Sequence, residues 1–547
     1  MRVPPGLSPQ EFDRALQDCR QAVGDAWVFT SDDDLALYRD AYSPIWGQPD
    51  ELLASAAIAP GSVEEIQAIV KIANSYRIPL YTISTGKDLG YGGSAPIYSE
   101  SVMLDLKRMN RILEVNEERA FVVVEPGVSY FDLYRHLREK GSRLWIDCPD
   151  PGWGSLIGNA VEHGNGYTPA MFRDHFNAHC GMEIVLANGE LLRTGMGAMP
   201  NSATWQDYRY NFGPYLDGIF SQSNFGIVTK MGFWLMPEPE TFRSIVVSVP
   251  HYLDLAPILK LANHLEMSAI VQGETPVMSP VMAPGLKGRW GEEPIKPLDP
   301  DHAALLNNPA TTHADLEKFA KDHGMPFWTI NLNCYGPEGV TTAQMAYAAK
   351  RAAEIPGATI APGPAFNFPL SDDEARKILH KACLGIPSLA IFTGEGVAGE
   401  RGHLLFSVTL PKTGEAVFAA HKAFGKAFRD MGSTKRGDFF IPFDWISRSL
   451  GFATAFPITR DPVKDRKSLD TLHVLTKVAA ENGWGEYRAH TAVQDQTMNA
   501  YSFNNHILRR FCETIKDAVD PNGILAAGRS GIWPKHLRAQ HLQEPKI

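Results

Sequence analysis

The amino-acid sequence predicts a mixed α and β protein with two large domains, and three observations support this prediction. The chain has 547 residues, a length that favours two large domains or about three or four smaller units. Up to about residue 242, segments with helical and strand-like periodicity alternate. The stretch Pro237-Glu238-Pro239-Glu240 is stiff and marks a candidate domain boundary.

Local signals predict the first elements. Ser62 and Glu65 have the spacing of a capping box, and apolar residues then repeat every three or four positions, which predicts a helix. Residues 79–83 are apolar and partly β-branched, which is typical of a strand. Residues 129–137 begin another helix, because their large apolar side chains fall on one face. The pair Asn188-Gly189 joins two strand-like runs and predicts a hairpin.

The later part of the chain is also mixed. Between Met278 and Pro300, proline and glycine are frequent and periodic segments are few, which suggests a long excursion over the surface or toward a partner. Helical periodicity is present from Thr341 to Glu354 and again from Ile507 to Ala518. Periodicity alone therefore predicts mixed α and β structure and no internal repeat.

Composition argues against several classes of protein. The net charge is −10 and the basic residues are not clustered, which argues against binding to nucleic acid or an anionic membrane surface. No window approaches about 18 consecutive apolar residues, so no membrane span is predicted. The N-terminal residues lack the apolar core of a signal peptide, which favours a cytoplasmic location. The six cysteines are scattered, which indicates reduced thiols and neither a disulfide frame nor a metal site.

A glycine-rich segment follows the first predicted helix and strand. Residues 81–93 read YTISTGKDLGYGG. Glycines permit positive φ angles and let backbone N–H groups approach an anion closely, so this segment is suited to a pyrophosphate. Its spacing is neither that of GxGxxG nor that of a P-loop, so a nucleotide domain here would be neither Rossmann nor P-loop type. A surface turn is the alternative reading.

Three further segments are candidates for a site. Residues 148–169 hold CPDPGWGSLIGN and GNGYTP, which are too rich in glycine and proline for regular structure, and Asp150 lies there between two stiffening prolines. Residues 485–490 (GEYRAH) place a phenol beside a guanidinium, which suits an anion or a phenol. Residues 399–407 (GERGHLLFS) contain His403. Each segment alone is also compatible with a turn, a strand or a satisfied core residue.

Together and in this order, these segments resemble the vanillyl-alcohol oxidase / p-cresol methylhydroxylase (PCMH) family of flavoproteins, and within it the bacterial eugenol oxidase type. The resemblance extends from about Val3 to Trp533. It includes four more unusual segments: residues 125–128 (EPGV), 182–197 (MEIVLANGELLRTGMG), 222–232 (QSNFGIVTKMG) and 520–531 (DPNGILAAGRSG).

The resemblance implies an α+β fold, a two-domain FAD-binding fold of the PCMH type with a cap domain built on an antiparallel sheet. Residues 1–242 would form the first part of the FAD-binding domain. Residues 243–486 would form the cap, or substrate, domain, and residues 487–547 would return to the FAD-binding domain. The resemblance also implies a homodimer or a dimer-based higher oligomer.

The resemblance implies that FAD is covalently bound, through a bond between His403 and the C8α methyl group of the isoalloxazine. The expected effects are a higher reduction potential and no loss of cofactor. The other residues expected to bind FAD are Ser84, Thr85, Gly86, Lys87, Leu89, Gly90, Pro149, Gly154, Ser155, Gly158, Asn159, Gly166, Tyr167, Ile227, Val228 and Arg529.

The implied substrates are para-substituted phenols, including 4-alkylphenols and 4-hydroxybenzyl alcohols. Tyr91, Tyr487 and Arg488 match the residues that bind the substrate as phenolate, because a positive charge and hydroxyl groups stabilise the anion. Hydride transfer from the benzylic carbon to flavin N5 then leaves a quinone methide. Asp150 matches a carboxylate near N5 that stabilises this intermediate and acts as a base. Water addition gives an alcohol, whereas a benzylic alcohol substrate gives an aldehyde.

Three positions depart from the family pattern near the expected substrate cavity. Ser447-Arg448 stands where many relatives carry two histidines, Ile391 stands where they carry an acidic residue, and the loop Ala170–Arg173 is longer than theirs. These changes predict a larger or differently polar para substituent. For Arg448 the sequence favours an ion pair with Asp438 or Asp444 over contact with a substrate carboxylate.

The sequence is compatible with more than one electron acceptor. The leading hypothesis is an oxidase that uses O₂ and forms H₂O₂, which the absence of a recognisable signal peptide favours. A cytochrome-coupled 4-alkylphenol dehydrogenase or hydroxylase is the alternative within enzymes. A flavin-binding protein without this activity is the alternative outside enzymes, and the joint presence of Tyr91, Asp150, Tyr487 and Arg488 argues against it.

Overall fold

The computed structural model describes residues 2–284, 299–378, 381–389, 401–433, 435–444, 446 and 448–541. Ile391, Ser447 and most of the Pro- and Gly-rich stretch between Met278 and Pro300 lie outside these residues. In chain order the helices are α1 (Pro9–Val23), α2 (Asp32–Leu35), α3 (Val63–Tyr76), α4 (Tyr130–Glu139), α5 (Leu156–Val161), α6 (Ala170–Arg173), α7 (Leu255–Met267), α8 (Pro300–Asn307), α9 (His313–Asp322), α10 (Glu338–Ala352), α11 (Asp372–Lys377), α12 (Gly414–Asp430), α13 (Pro462–Glu481), α14 (Gln494–Ala500), α15 (Phe503–Val519) and α16 (Arg538–His541). The strands are β1 (Val28–Phe29), β2 (Ala56–Ile58), β3 (Leu80–Ile83), β4 (Val102–Asp105), β5 (Ile112–Asn116), β6 (Phe121–Val124), β7 (Leu144–Trp145), β8 (His179–Leu186), β9 (Leu191–Arg193), β10 (Gly226–Trp234), β11 (Met236–Pro237), β12 (Thr241–Val249), β13 (Val277–Met278), β14 (Trp328–Gly336), β15 (Thr359–Asn367), β16 (His403–Pro411), β17 (Pro442–Phe443) and β18 (Ser449–Pro457).

Local sequence signals account for several of these boundaries. Ser62 caps α3 by accepting a hydrogen bond from the N–H of Glu65 at 3.2 Å, whereas the predicted capping box is incomplete because the Glu65 carboxylate accepts from the N–H of Gly61 at 2.7 Å. Ser129 caps α4 in a capping box with Asp132. The predicted hairpin is present, since β8 and β9 pair antiparallel on either side of Asn188-Gly189.

The first part of the chain forms two main sheets. One has the strand order β1-β2-β4-β3, with β2, β4 and β3 parallel, and the other is antiparallel with the order β5-β6-β10-β8-β9. The C-terminal segment returns to the first sheet, because Leu80 in β3 donates to Ile524 O and accepts from Ala526 N, each at 2.7 Å. The N- and C-terminal parts of the chain therefore share one structural unit.

The middle of the chain forms antiparallel sheets with the orders β13-β14-β12-β15 and β16-β18-β17. Alternate residues of β16, among them Leu404, Phe406 and Val408, are buried in a core formed with α7, α12 and α13. Residues of the opposite face, such as His403 and Ser407, contact the chain that follows β3. This sheet therefore presents one face to its own core and the other to the candidate site. The domain boundaries near residues 242 and 486 stay a prediction.

None of the helices in the described part of the chain combines the length and the hydropathy that a membrane span requires. The same residues contain no group of three His, Cys, Asp or Glu side chains arranged to hold a metal ion. All six cysteines are described and are free thiols, and all except Cys512 are buried.

Candidate active site

The loop that follows β3 and the loop that precedes α5 lie against each other. Ser155 caps α5 by accepting a hydrogen bond from the N–H of Gly158 at 3.1 Å. A Cβ on Gly158 would lie 2.3 Å from the Oγ of Ser84, so the Ser84 hydroxyl in its present position requires a residue without a side chain here. The structure thus brings into contact two segments that are predicted to bind FAD.

The buried carboxylate of Asp147 connects the loop segments before and after α5. The carboxylate of Asp147 accepts hydrogen bonds from the backbone N–H of Tyr167 at 3.2 Å and of Thr168 at 2.7 Å. His175 contacts the same carboxylate through Nε2 at 2.7 Å, and its other ring nitrogen contacts the side chain of Asn159. This buried network therefore joins Tyr167 and Asn159, which are both predicted FAD residues. Buried polar groups connected in this way hold a loop in one arrangement.

Asp150 lies on the same loop, three residues after Asp147, and is half-buried. The loop is held against the middle of the chain, because Gly152 donates its N–H to the carbonyl of Ser388 at 2.8 Å. The ammonium group of Lys87 lies 5.4 Å from the centre of the Trp153 ring, which links this loop to the loop after β3. The loop that carries Asp150 therefore contacts both the loop after β3 and the segment around Ser388.

His403 begins β16 and is almost completely buried. Burial lowers the pKa of its imidazole to about 4, so the ring is neutral at neutral pH. Its Nδ1 atom is buried and has no hydrogen-bond partner among the described residues. Tyr42 packs on the ring with the centroids 5.1 Å apart. Gly90 also lies against the ring: its φ is +84°, and a Cβ there would lie 3.3 Å from the imidazole Cδ2.

This environment fits a covalent bond to the cofactor. A buried ring nitrogen without a partner is costly, and a bond to FAD would remove that cost. The neutral ring has a lone pair available for bond formation. The neighbouring Gly90 belongs to the predicted pyrophosphate loop. The residues that surround His403 are therefore compatible with the attachment that the sequence predicts.

The three residues predicted to bind the phenol converge beside β16. The Arg488 guanidinium carbon lies 4.9 Å from the centre of the Tyr91 ring and 5.7 Å from that of Tyr487. The Tyr91 hydroxyl is 2.9 Å from the Oγ of Ser407, four residues after His403 in the same strand. Chain segments distant in sequence thus bring two phenol side chains and one guanidinium together near His403.

The electrostatics of this group suit the binding of an anion. Burial raises the pKa of Tyr91 well above its ordinary value, although Arg488 opposes the shift, so the hydroxyl stays protonated and can donate. Burial by itself would lower the pKa of Arg488, but Tyr487, Asp88 and other neighbours raise it above its ordinary value. Arg488 therefore keeps its positive charge although it is buried.

The remaining predicted FAD residues lie on β10 and in the C-terminal segment. Ile227 and Val228 pair with Val185 and Ile184 of β8. The side chain of Ile227 packs in the hydrophobic core beneath the first sheet, which leaves its backbone as the part able to face a cofactor. Arg529 forms an ion pair with the carboxylate of Glu162.

Several residues of this site carry no signal in the sequence. Asp147 and Tyr42 stand outside any motif that suggests a role, and Ser407 ends the segment around His403 but has no predicted role. Glu162 lies within the recognised glycine-rich segment, but its partners Arg488 and Arg529 come from the far C-terminal part of the chain. Only the folded chain brings these groups together.

The predicted ion pair of Arg448 is wrong. Asp438 pairs with Arg436 at 2.8 Å, and Asp444 pairs with Lys412 at 2.6 Å, whereas Arg448 is exposed. The physical reason is burial: Asp444 is fully buried, burial raises its pKa to about 7, and only a cation that is itself buried can reach it.

The loop from Ala170 to Arg173 forms the short helix α6, and Arg173 is fully buried. Its guanidinium pairs with Glu266 at the end of α7, and Glu266 also pairs with Lys412 at 2.7 Å. The side chain of Arg173 thus joins a buried ion-pair network between this loop and the middle of the chain. A role in shaping the para-substituent end of the site stays a prediction.

Comparisons with known proteins bear on the fold and on the family of the chain. Residues 54–195 match the family described as an FAD binding domain. The chain is 31% identical to the flavoprotein subunit of 4-cresol dehydrogenase (hydroxylating) from Pseudomonas putida, over 97% of each chain. Its structure is similar to that of 4-ethylphenol oxidase from Gulosibacter chungangensis in complex with isoeugenol, with a TM-score of 0.82, 36% identity and coverage of 98% of this chain and 100% of the other.

Substrate-bound p-cresol methylhydroxylase is also similar, with a TM-score of 0.83, 29% identity and coverage of 97% of this chain and 99% of the other. These similarities confirm the predicted α+β fold of the PCMH type. The sequence relationship extends over nearly the full length of both chains. This chain therefore belongs to the family of FAD-binding oxidoreductases that contains the 4-cresol dehydrogenase flavoproteins.

Proposed function

We propose that this protein oxidises para-substituted phenols at the benzylic carbon, with FAD covalently bound through His403 and O₂ as the electron acceptor. The observation that carries this proposal is the convergence of Tyr91, Tyr487 and Arg488 beside the strand that begins with His403. The names of the relatives, 4-cresol dehydrogenase and 4-ethylphenol oxidase, support a 4-alkylphenol as the substrate. A homodimer or a dimer-based oligomer is part of the same proposal.

Residues of both loops and of β16 would hold the cofactor. The backbone from Ser84 to Gly90 would hold the pyrophosphate, the segments around Gly158 and Tyr167 would line the flavin, and His403 would bond to it. When bound, FAD supplies the acceptor for the hydride that leaves the benzylic carbon.

The phenol-binding residues make that hydride loss possible. Tyr91 and Tyr487 donate hydrogen bonds to the phenol oxygen, and the charge of Arg488 stabilises its anion. The phenolate oxygen releases electron density into the ring, which favours departure of the hydride and leaves a quinone methide. Asp150 then accepts a proton from the water molecule that adds to the benzylic carbon. The product is a 4-hydroxybenzyl alcohol, and a substrate that is already such an alcohol yields the aldehyde.

The covalent bond can be tested without any substrate. After precipitation with acid and centrifugation, we expect the visible flavin absorbance in the protein pellet, because a covalent bond survives denaturation. His403→Ala should fold and bind FAD reversibly. It should oxidise the substrate more slowly, because the reduction potential of the flavin falls without the covalent bond. His421→Ala is the matched control, because His421 is also buried and its pKa is also lowered to about 4. If all the colour of the wild-type protein stays in the supernatant, the attachment through His403 is refuted.

The substrate class and the acceptor can be separated in one experiment. Under anaerobic conditions, a panel of 4-substituted phenols should bleach the flavin in a single turnover. In air, each two-electron oxidation of a phenol should yield one H₂O₂. The cytochrome-coupled alternative predicts a different result: the reduced flavin is reoxidised slowly by air and rapidly by a c-type cytochrome. The words "flavoprotein subunit" in the name of the Pseudomonas relative favour this alternative. If no phenol of the panel bleaches the flavin, the proposed substrate class is wrong.

A further inference from the structure

Two arginines of the candidate site meet at one acidic residue, Glu162, which directly follows α5. The carboxylate of Glu162 forms an ion pair with Arg529. Its backbone carbonyl accepts a hydrogen bond from the Nε of Arg488 at 2.9 Å. The same residue therefore holds the phenol-binding arginine through its backbone and a second arginine through its side chain.

The charges around Glu162 are balanced. Arg488 and Arg529 supply two positive charges, and Glu162 and Asp88 supply two negative charges, with the Asp88 carboxylate 3.7 Å from Arg488. The other titratable groups in this cluster are Tyr81, which is hydrogen-bonded to Arg529, and Tyr91, Tyr487 and His163, which lie near Arg488. The side chain of Glu162 is only 19% exposed, against 29% for Asp88, so solvent screens its charge less.

Burial raises the pKa of Glu162, and Arg529 opposes this shift. His163 adds no positive charge at neutral pH, because burial and then Arg488 lower the pKa of its imidazole. Within the described part of the chain, the charged groups that set the electrostatic potential here are therefore Arg488, Arg529, Glu162 and Asp88. A phenolate bound by Arg488 would bring one more negative charge into this balanced group.

We propose that the carboxylate of Glu162 sets the positive potential that the site presents to the phenol oxygen, by neutralising Arg529 and acting on Arg488. This inference rests on the proposed function, since it assumes that a phenol binds at Arg488. Glu162 acts through the two arginines and is a positioning residue. Its carboxylate limits how strongly the substrate is ionised, while its carbonyl orients the guanidinium.

The substitution Glu162→Gln separates these two roles. The backbone carbonyl remains, so the hydrogen bond to Arg488 is kept, and only the negative charge is lost. Asp88 is present in both proteins, so any difference reports Glu162. With one negative charge fewer, the anionic form of a bound phenol is favoured, and its apparent pKa should fall by about one unit relative to wild type. Glu162→Asp, which keeps the charge, should restore the wild-type value.

The probe is 4-bromophenol, which lacks a benzylic carbon and so cannot be oxidised at that position. The flavin-loaded proteins are titrated with it at a series of pH values, and the phenolate absorption of the bound ligand is followed in the ultraviolet. The matched control is Glu183→Gln. It removes a buried carboxylate of β8 that pairs with Lys230 and Arg193 on the neighbouring strands. The control should leave the pKa of bound 4-bromophenol unchanged.

The outcomes distinguish this inference from the proposed function. If the wild-type protein binds 4-bromophenol as phenolate and Glu162→Gln leaves its pKa unchanged, the inference fails alone. If the wild-type protein binds no phenolate at any pH below the pKa of the free phenol, the proposed function fails with it. Should Glu162→Gln not fold, Glu162→Ser carries the test, because it also removes the carboxylate and keeps the backbone carbonyl, so the pKa of the bound phenol should again fall. An unchanged or raised value in Glu162→Ser would overturn the inference.

Discussion

A 4-alkylphenol should reduce the flavin of this protein rapidly under anaerobic conditions, whereas its O-methyl ether should not reduce it at all. The ether has the same benzylic carbon and nearly the same shape, but it cannot lose a proton from oxygen. The hydroxyl groups of Tyr91 and Tyr487 and the charge of Arg488 stabilise an anion, and they offer the neutral ether no comparable stabilisation. Stopped-flow absorbance of the flavin measures both rates directly.

The same reasoning predicts the behaviour of Arg488→Met. Without the guanidinium the substrate proton is held more tightly, so fast reduction should require a pH higher by roughly 1–3 units. The matched control is Arg111→Met, which removes an arginine that pairs with Glu125 away from this site and should leave the pH profile unchanged. Equal rates for the phenol and the ether would overturn the assignment of all three residues and the quinone-methide route, and would favour a simple alcohol oxidase.

Replacement of Asp150 by alanine should slow turnover of the best phenol roughly 10²–10⁴-fold, the usual effect of removing one positioned acid–base group. The variant should still fold and hold flavin. The loop stays anchored in two ways. The Asp147 carboxylate accepts hydrogen bonds from the backbone N–H groups of Tyr167 and Thr168, and Gly152 donates a hydrogen bond to Ser388. The measurement is the steady-state rate together with the flavin content of the purified variant.

Asp174→Ala is the matched control for this experiment, because Asp174 is an exposed acid in the same part of the chain. It should retain wild-type turnover. If Asp150→Ala turns over its best substrate at nearly the wild-type rate, Asp150 has no part in the mechanism. A variant that has lost its flavin would show instead that Asp150 acts on cofactor binding.

The sequence by itself determined the features that depend on neighbouring residues. The cap of α3 at Ser62, the strand that ends at Ile83 and the hairpin at Asn188-Gly189 all follow from residues a few positions apart. The order and unusual composition of the glycine-rich segments also sufficed to predict the family. Membership of that family implies the α+β fold and the binding of FAD, and the comparisons with relatives confirm both.

Only the tertiary structure decided which charged groups meet. Asp444 pairs with Lys412 and not with Arg448, four residues away, because the carboxylate is buried and Lys412 approaches it within the core. Glu162 joins Arg488 and Arg529 although nothing near it in sequence indicates this. Ion pairs, and buried polar atoms such as Nδ1 of His403 that have no partner among the described residues, depend on distances between segments far apart in the chain and on the exclusion of water there. Periodicity and spacing along the sequence measure neither of these quantities.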